Sequence, residues 1–374
     1  MKKKIKKLDR RFRVLLTILF VLICASAVVL VWATLDQEED LGELQAVPHS
    51  VDFDQIIDGG PPKDGILSID EPKFIKAEEA DPVIEDDEIV LIVENFRGAK
   101  IFPLKILVWH QIVNDTKNDP PLLVTYDPFT NNISAYKSLY NDQKLLTFGV
   151  SGKLYESNTL MYDRETNSLW TQFNGEGIVG ELIGAKLQRL NSYLAPWKYV
   201  KKKYTDALVL SRETGTDRDY DHSPYEVYLN SDKLYFDISR TDDRLKKKDI
   251  VYGIELNGTA KAYPDTSLED EWLITDIIGE TPVLILKNPQ TGTVKAFKSY
   301  VYGWPVEFEM GKDGITDKRY QAKWDFDGKC VYGRIAGWQL TEIPVIRSYW
   351  FGWYIFNPET ELYLANKLPK EEST

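Results

Sequence analysis

"LLVTYDPFTNNISAYKS" runs from Leu122 to Ser138, and "VLILKNPQTGTVKAFKS" runs from Val283 to Ser299. The two stretches lie 161 residues apart and share a Pro-x-Thr turn and an Ala-aromatic-Lys-Ser ending. Working outward, residues 88–138 align with 249–299 without a gap, and fifteen of the fifty-one positions are identical. "GAKIFP" matches "TAKAYP". Beyond a small gap, "LWTQFNGEGIVGELIGAKL" follows "KWDFDGKCVYGRIAGWQL". This aligns Trp170 with Trp324, and Gly175, Gly180 and Gly184 with Gly328, Gly333 and Gly337. A repeat of this length implies two copies of one fold, packed about a pseudo-twofold or strung in tandem.

Each copy reads as mainly β. "DKLYFDIS" alternates Leu234, Phe236 and Ile238 with polar neighbours, the period of a half-buried strand. "DALVLS", "GIVGELIG" and "VYGRIAG" are short runs bounded by Gly or polar residues. The best helical pattern follows Pro103, where Leu104, Leu107, Val108 and Ile112 share one face. The expected fold is therefore an internally duplicated antiparallel β-rich unit, of sandwich or barrel type. The first repeat takes 56–211, an inter-repeat segment 212–230, the second repeat 231–366 and a tail 367–374. At 374 residues, about two domains are expected.

The N-terminus sets the location. Residues 1–13, "MKKKIKKLDRRFR", hold eight Lys/Arg against Asp9, a surplus of seven that leaves −19 on the rest of a chain whose net charge is −12. Residues 14–34 contain no charge, and twenty-one helical residues span roughly 31 Å, the thickness of a bilayer core. The basic flank before this run, and the acidic linker over 35–55 after it, predict a single-pass signal anchor. The N-terminus is then cytoplasmic and the body extracytoplasmic, periplasmic or at the cell surface. A cleaved signal peptide ending at "ASA" is the competing reading. An acidic body repels phosphate backbones, which argues against nucleic acid. Of the two cysteines, Cys24 lies in the apolar run, so Cys330 has no partner in the body and reads as a small buried residue.

Positions where the copies differ are the candidates for specialisation. His110 has Glu271 as its counterpart, and the "TYDPFT" turn brings Asp127 and Thr130 toward the same strand pair. The plain reading of His110 is a packed imidazole, and the functional one a ligand or proton-transfer group. Between the copies, "RETGTDRDYDHSPY" concentrates Arg218, Asp219, Tyr220 and His222. Its Asp-x-Asp-x-Asp spacing lacks the Gly and Glu of a calcium loop, leaving a polar turn or residues facing a cleft between the copies. Asp163 and Arg164 read as hairpin caps, with a binding role as the alternative. The aromatic run "SYWFGWYIFNPETELY" reads as a strand filling the core, or as a stacking platform for sugar rings. No phosphate loop, nucleophile elbow or His-Glu-x-x-His motif is present.

The segments "GGPPKDGI", "WHQIVND", "FGVSGKLYESNTLMYDRETNSLWTQ" and "VLSRETGTDRDYDHSPY" occur in order, and with them the chain resembles a family of exported bacterial and archaeal proteins classed as a domain of unknown function. The resemblance covers about residues 56–363 and implies no established activity. It does imply that a Thr-Tyr-Cys-Pro-Leu-Cys-Gly motif stands where this chain has "TYDPFTN", and a Glu where it has Gln111. Two thiols near a His and a Glu suit a soft metal or a redox pair. Asp127, Thr130 and Gln111 replace them, and one His with one Asp falls short of a closed metal site. The expected function is a membrane-anchored, non-catalytic module that binds a small molecule or glycan, or assembles with envelope proteins. Ligand binding is assigned to Asp163, Arg164, Arg218, Asp219 and Tyr220, and no cofactor is expected. The rival is an acid–base or metal-assisted enzyme using His110, Asp127, Arg218 and Asp219, with His110 and Asp127 as weak metal candidates.

Overall fold

The computed structural model describes residues 47–95 and 98–365. The basic tail and the apolar run 14–34 lie outside them. Among the described residues no helix is long and apolar enough to cross a membrane.

Strand is the dominant element, at 41% against 13% helix, so the fold is mainly β. Its first half runs β1 (Ile89–Asn95), β2 (Gly98–Pro103), α1 (Leu104–His110), β3 (Ile112–Asp115), β4 (Leu122–Asp127) and β5 (Asn132–Lys137). It continues with β6 (Phe148–Tyr155), β7 (Asn158–Asp163), β8 (Leu169–Thr171), β9 (Gly177–Val179), β10 (Ser192–Pro196), α2 (Trp197–Lys203) and β11 (Leu208–Leu210). The second half repeats the order: β12 (Ile250–Leu256), β13 (Thr259–Pro264), α3 (Asp265–Asp270), β14 (Leu273–Ile278), β15 (Thr281–Lys287) and β16 (Val294–Lys298). Then come β17 (Phe308–Gly311), β18 (Gly314–Asp317), β19 (Lys323–Trp324), β20 (Cys330–Tyr332), β21 (Ile346–Tyr349), α4 (Trp350–Phe356) and β22 (Glu361–Leu362).

Sheet orders match as well. β10-β1-β2-β11 recurs as β21-β12-β13-β22, and in each the last strand runs parallel to its neighbour while the others are antiparallel. β3-β4-β5 recurs as β14-β15-β16, and the β6-to-β9 meander as β17 to β20. Three of the four helices named start directly after a proline at a strand end (Pro103, Pro196, Pro264), where a fixed φ and a missing N–H cost the ladder nothing. Side chains repeat too. Lys100 pairs with Asp115 and Lys261 with Asp276, and the indoles of Trp170 and Trp324 donate to Asp163 and Asp317. Gly175 and Gly328 adopt φ +65° and +72°, and a Cβ on either would meet the ring of Tyr136 or its counterpart Phe297. Both reasons demand glycine.

Reciprocal contacts fix how the copies pack. Asn132 Nδ2 of β5 donates to the Arg347 carbonyl of β21 (3.1 Å), and its counterpart Thr293 Oγ1 donates to the Leu194 carbonyl of β10 (2.8 Å). Leu194 and Arg347 are themselves counterparts, so a pseudo-twofold axis relates the halves. By its contacts the chain from Ser50 onward is one unit rather than two domains. Phe173 of the first copy shares a core cluster with Val251, Ile346, Trp350 and Trp353 of the second. Each such large side chain contributes about 1.5–3 kcal/mol by burial. Lys295, 5% exposed, adds an ionic tie through Asp327 (2.9 Å), which Lys203 of the first copy also holds (2.7 Å).

The copies are clothed differently. The lead segment before β1 packs on the first copy, and the 212–249 segment packs on the first copy and, through Asp242 and Arg244, on α4 of the second. Ile56–Asp58 extends the β6 sheet, Tyr220 joins the α1 core, and Tyr228 and Phe236 pack with Phe129.

Three sequence expectations are corrected here. Residues 233–239 form no strand; Leu234, Phe236 and Ile238 pack against the Phe129 cluster from an irregular backbone. The aromatic run is helix α4 from Trp350 to Phe356, and its Trp350, Phe351, Trp353 and Ile355 fill the core. The helix after Pro103 stops at His110, because Gln111 turns left-handed (φ +59°) and places Ile112 on β3.

Candidate functional site

Asp127 ends β4 and is fully buried. Its Oδ2 accepts from Thr130 N (3.0 Å), the Thr130 hydroxyl and Asn158 Nδ2 (2.8 Å). Its Oδ1 accepts from Thr159 Oγ1 (2.8 Å) and Thr159 N (3.4 Å). The Asp127 and Thr130 side chains, three residues apart across the turn, therefore touch. Neutral donors already occupy the lone pairs of this carboxylate. The knot continues through Gln172, which donates to Thr125 Oγ1 (2.7 Å).

His110 sits at the end of α1, 2% exposed. Its Nδ1 donates to the Leu67 carbonyl (2.7 Å), and its Nε2 accepts from the Tyr220 hydroxyl (2.8 Å), which lies 2.6 Å from Thr214 Oγ1. Burial pushes the imidazole below its ordinary value, and the Arg218 charge acts in the same direction. The unfolded chain thus takes up this proton first. The His110 contribution to stability is complete above about pH 6.5 and falls as the pH drops through that value, by up to about 1.4 kcal/mol per unit. Urea midpoints from pH 7.5 down to 5.0 are expected to fall more steeply for the wild type than for His110→Gln. Parallel curves would show that His110 does not titrate this way.

No hydrogen bond or ion pair joins His110 to Asp127 or Asp219. Gln111 lies between the two centres: its carbonyl accepts from Tyr126 N (2.8 Å), its Nε2 donates to Tyr225 Oη (2.9 Å), and its buried Oε1 has no partner among the described residues. The other candidates disperse. Arg218 stacks 5.4 Å from the Trp109 ring centre, whose indole holds the His222 carbonyl (2.9 Å). Asp219 is exposed and pairs with His222 (2.7 Å). Asp163 organises its own hairpin turn through Thr166 N (2.6 Å) and holds Trp170, a scaffold duty that Asp317 repeats. Arg164 ties the hairpin to the lead segment through Asp70 (3.0 Å) and Ser68 (2.9 Å). Among the described residues, no three His, Cys, Asp or Glu side chains gather to hold a metal.

A cleft of about 230 Å³ lies on the pseudo-twofold axis. Its walls include four counterpart pairs: Ile133 and Val294, Ser192 and Val345, Leu91 and Tyr252, Leu194 and Arg347. The last two pairs break the symmetry, because the second copy places a phenol and a guanidinium where the first has Leu91 and Leu194. Burial pushes the Tyr252 phenol up to about 12, with Arg347 pulling the other way. Arg347 NH1 reaches the Asn131 carbonyl at 3.5 Å, and no carboxylate among the described residues pairs with it. Sequence reasoning placed a ligand between the copies but chose Arg218 and Asp219. The missed signal for Tyr252 was its replacement of Leu91 within the ungapped alignment.

These features define a duplicated, mainly β protein with an axial cleft. Residues 63–360 match the family described as protein of unknown function (DUF3179), and the chain belongs to that family. No curated protein and no solved structure matches it.

Proposed function

We propose that the chain is a non-catalytic binding module whose ligand enters the axial cleft. The ligand is a small oxyanion, such as a carboxylate, with a short apolar body. The observation that carries this reading is the Arg347 guanidinium, without a carboxylate partner among the described residues and facing a wall of Leu91, Ile133, Leu194 and Val294. A half-buried cation of this kind gains most from a ligand that brings the missing charge. Ser192, Thr291 and Tyr252 line the same cleft and add hydrogen-bonding hydroxyls. The binding reading is favoured over an acid–base enzyme because the Asp127 carboxylate and both ring nitrogens of His110 are already engaged within the protein. Anchoring by residues 14–34, with the body outside the cytoplasm, rests on the charge pattern of the N-terminus.

A thermal-shift screen of the full chain in detergent tests the ligand class, with benzoate, hexanoate and glucuronate against the neutral sugar glucose. The apolar carboxylates are expected to raise the melting temperature by mass action. Arg347→Ala removes a charge-assisted bond of about 1.5–3 kcal/mol and is expected to weaken the best ligand at least tenfold. Stabilisation by glucose alone, or equal affinity in Arg347→Ala, overturns the reading.

A further inference from the structure

The duplication supplies an internal control for a second site. In the first copy, the lead segment Asp64–Asp70 lies in a groove between β3 and β6. Ile69 runs parallel to Val113, with Ile69 N donating to Ile112 O (2.9 Å) and Asn114 N to Ile69 O (2.8 Å). The same segment holds the His110 ring through Leu67 O and reaches Val150 O through Asp64 N (2.9 Å). In the second copy the corresponding groove lies between β14 and β17, about 580 Å³ in volume. Leu273 and Thr275 take the places of Ile112 and Asn114, Phe308 and Met310 those of Phe148 and Val150. Nothing among the described residues fills it: β14 is an edge strand, and no bridge forms on its open side.

We propose that this groove docks an extended, basic segment of a partner polypeptide as a strand added parallel to β14. The backbone edge supplies main-chain affinity, as in other β-augmentation sites. Trp272 and Met310, 46% and 43% exposed, supply the apolar contact. Charge selects the occupant. Asp270, Glu271 and Glu309 rim the groove where the first copy has Trp109, His110 and Gly149, and none of the three pairs with a Lys or Arg among the described residues. Glu271 accepts only the Tyr363 hydroxyl (2.7 Å). An acidic segment like Asp64–Asp70 is thereby repelled and a Lys- or Arg-flanked apolar one attracted. The inference rests on the β14 edge and is independent of the axial cleft.

The probe is a labelled heptapeptide with the sequence of residues 64–70 carrying Asp64→Lys and Asp70→Lys, titrated by fluorescence anisotropy into the full chain in detergent. Saturable binding is expected, at least tenfold tighter than for the unmodified heptapeptide and weakening with salt. Thr275→Pro removes the outward N–H of an edge strand, a position where proline leaves the sheet intact, and is expected to weaken binding at least tenfold. If that variant melts early, Trp272→Ala at an exposed position serves instead. Glu309→Lys is expected to lower the preference for the basic peptide. Absence of saturable binding, equal affinity for the acidic peptide, or binding unchanged in these variants overturns the proposal.

Discussion

Asp127→Ala is expected to destabilise the fold by about 3–5 kcal/mol, read as a shift in the urea midpoint at constant slope. The substitution leaves Thr130 N, Thr159 N and the Thr159 hydroxyl buried without their acceptor, and each orphaned group costs about 1–3 kcal/mol. Asp127→Asn separates chemistry from shape. It conserves volume but turns an amide N–H₂ toward existing donors, so it is expected to lose more than half as much as the alanine variant. A neutral Asp127→Asn would mean that the knot is held by packing alone. The loss concerns stability, so ligand binding in the axial cleft is expected to persist in whatever fraction remains folded.

The second large effect comes from Gly253→Ala. A Cβ there would lie 2.0 Å from Cζ3 of Trp353, a fully buried ring anchored by its indole to Thr360 Oγ1 (2.8 Å). Neither the ring nor β12 has room to yield, and overpacking of this kind costs about 1–3 kcal/mol or more. The first copy shows the alternative solution. Ile92 stands at the position of Gly253 and Val200 at that of Trp353, both in one core cluster. Gly253→Ile combined with Trp353→Val is therefore expected to recover most of what Gly253→Ile alone loses. Urea unfolding of the two single variants and the pair gives a coupling energy, and additivity within about 0.5 kcal/mol would refute the exchange.

The duplication was legible because backbone-determined positions repeat most faithfully. Gly175 and Gly328 are fixed by φ and by an aromatic ring above them, and the Trp170 and Trp324 indoles by an aspartate at a hairpin turn. Elements set by tertiary contact were not legible. Residues 233–239 alternate like a strand, yet Phe129 and Tyr228 satisfy their apolar side chains without a ladder. Trp350–Phe356 has the aromatic character of a strand, and its helix-compatible counterpart "WKYVKKK", which lies beyond a gap between the copies, reads on its own only as a solvated basic face. The same gap hid Arg347, whose counterpart Leu194 becomes visible only once β10 and β21 are superposed by topology. His110 and Asp127 stood out in the sequence, but rarity and chemistry do not reveal how many neighbours already satisfy a side chain.

The last helix has a consequence for the order in which the chain matures. Thr130 O accepts from Tyr349 N (2.8 Å), and Gly352 of α4 lies so close to Thr130 that a Cβ would sit 2.9 Å from its side chain. The turn that closes the first copy is thus roofed by residues more than two hundred positions later. During synthesis from the N-terminus, the first copy stays unfinished until Phe356 has emerged, however early its own strands pair. A stop codon before residue 350 would not yield a half-protein. It would yield a first copy with Phe129 and Phe173 uncovered, a substrate for proteases and for self-association.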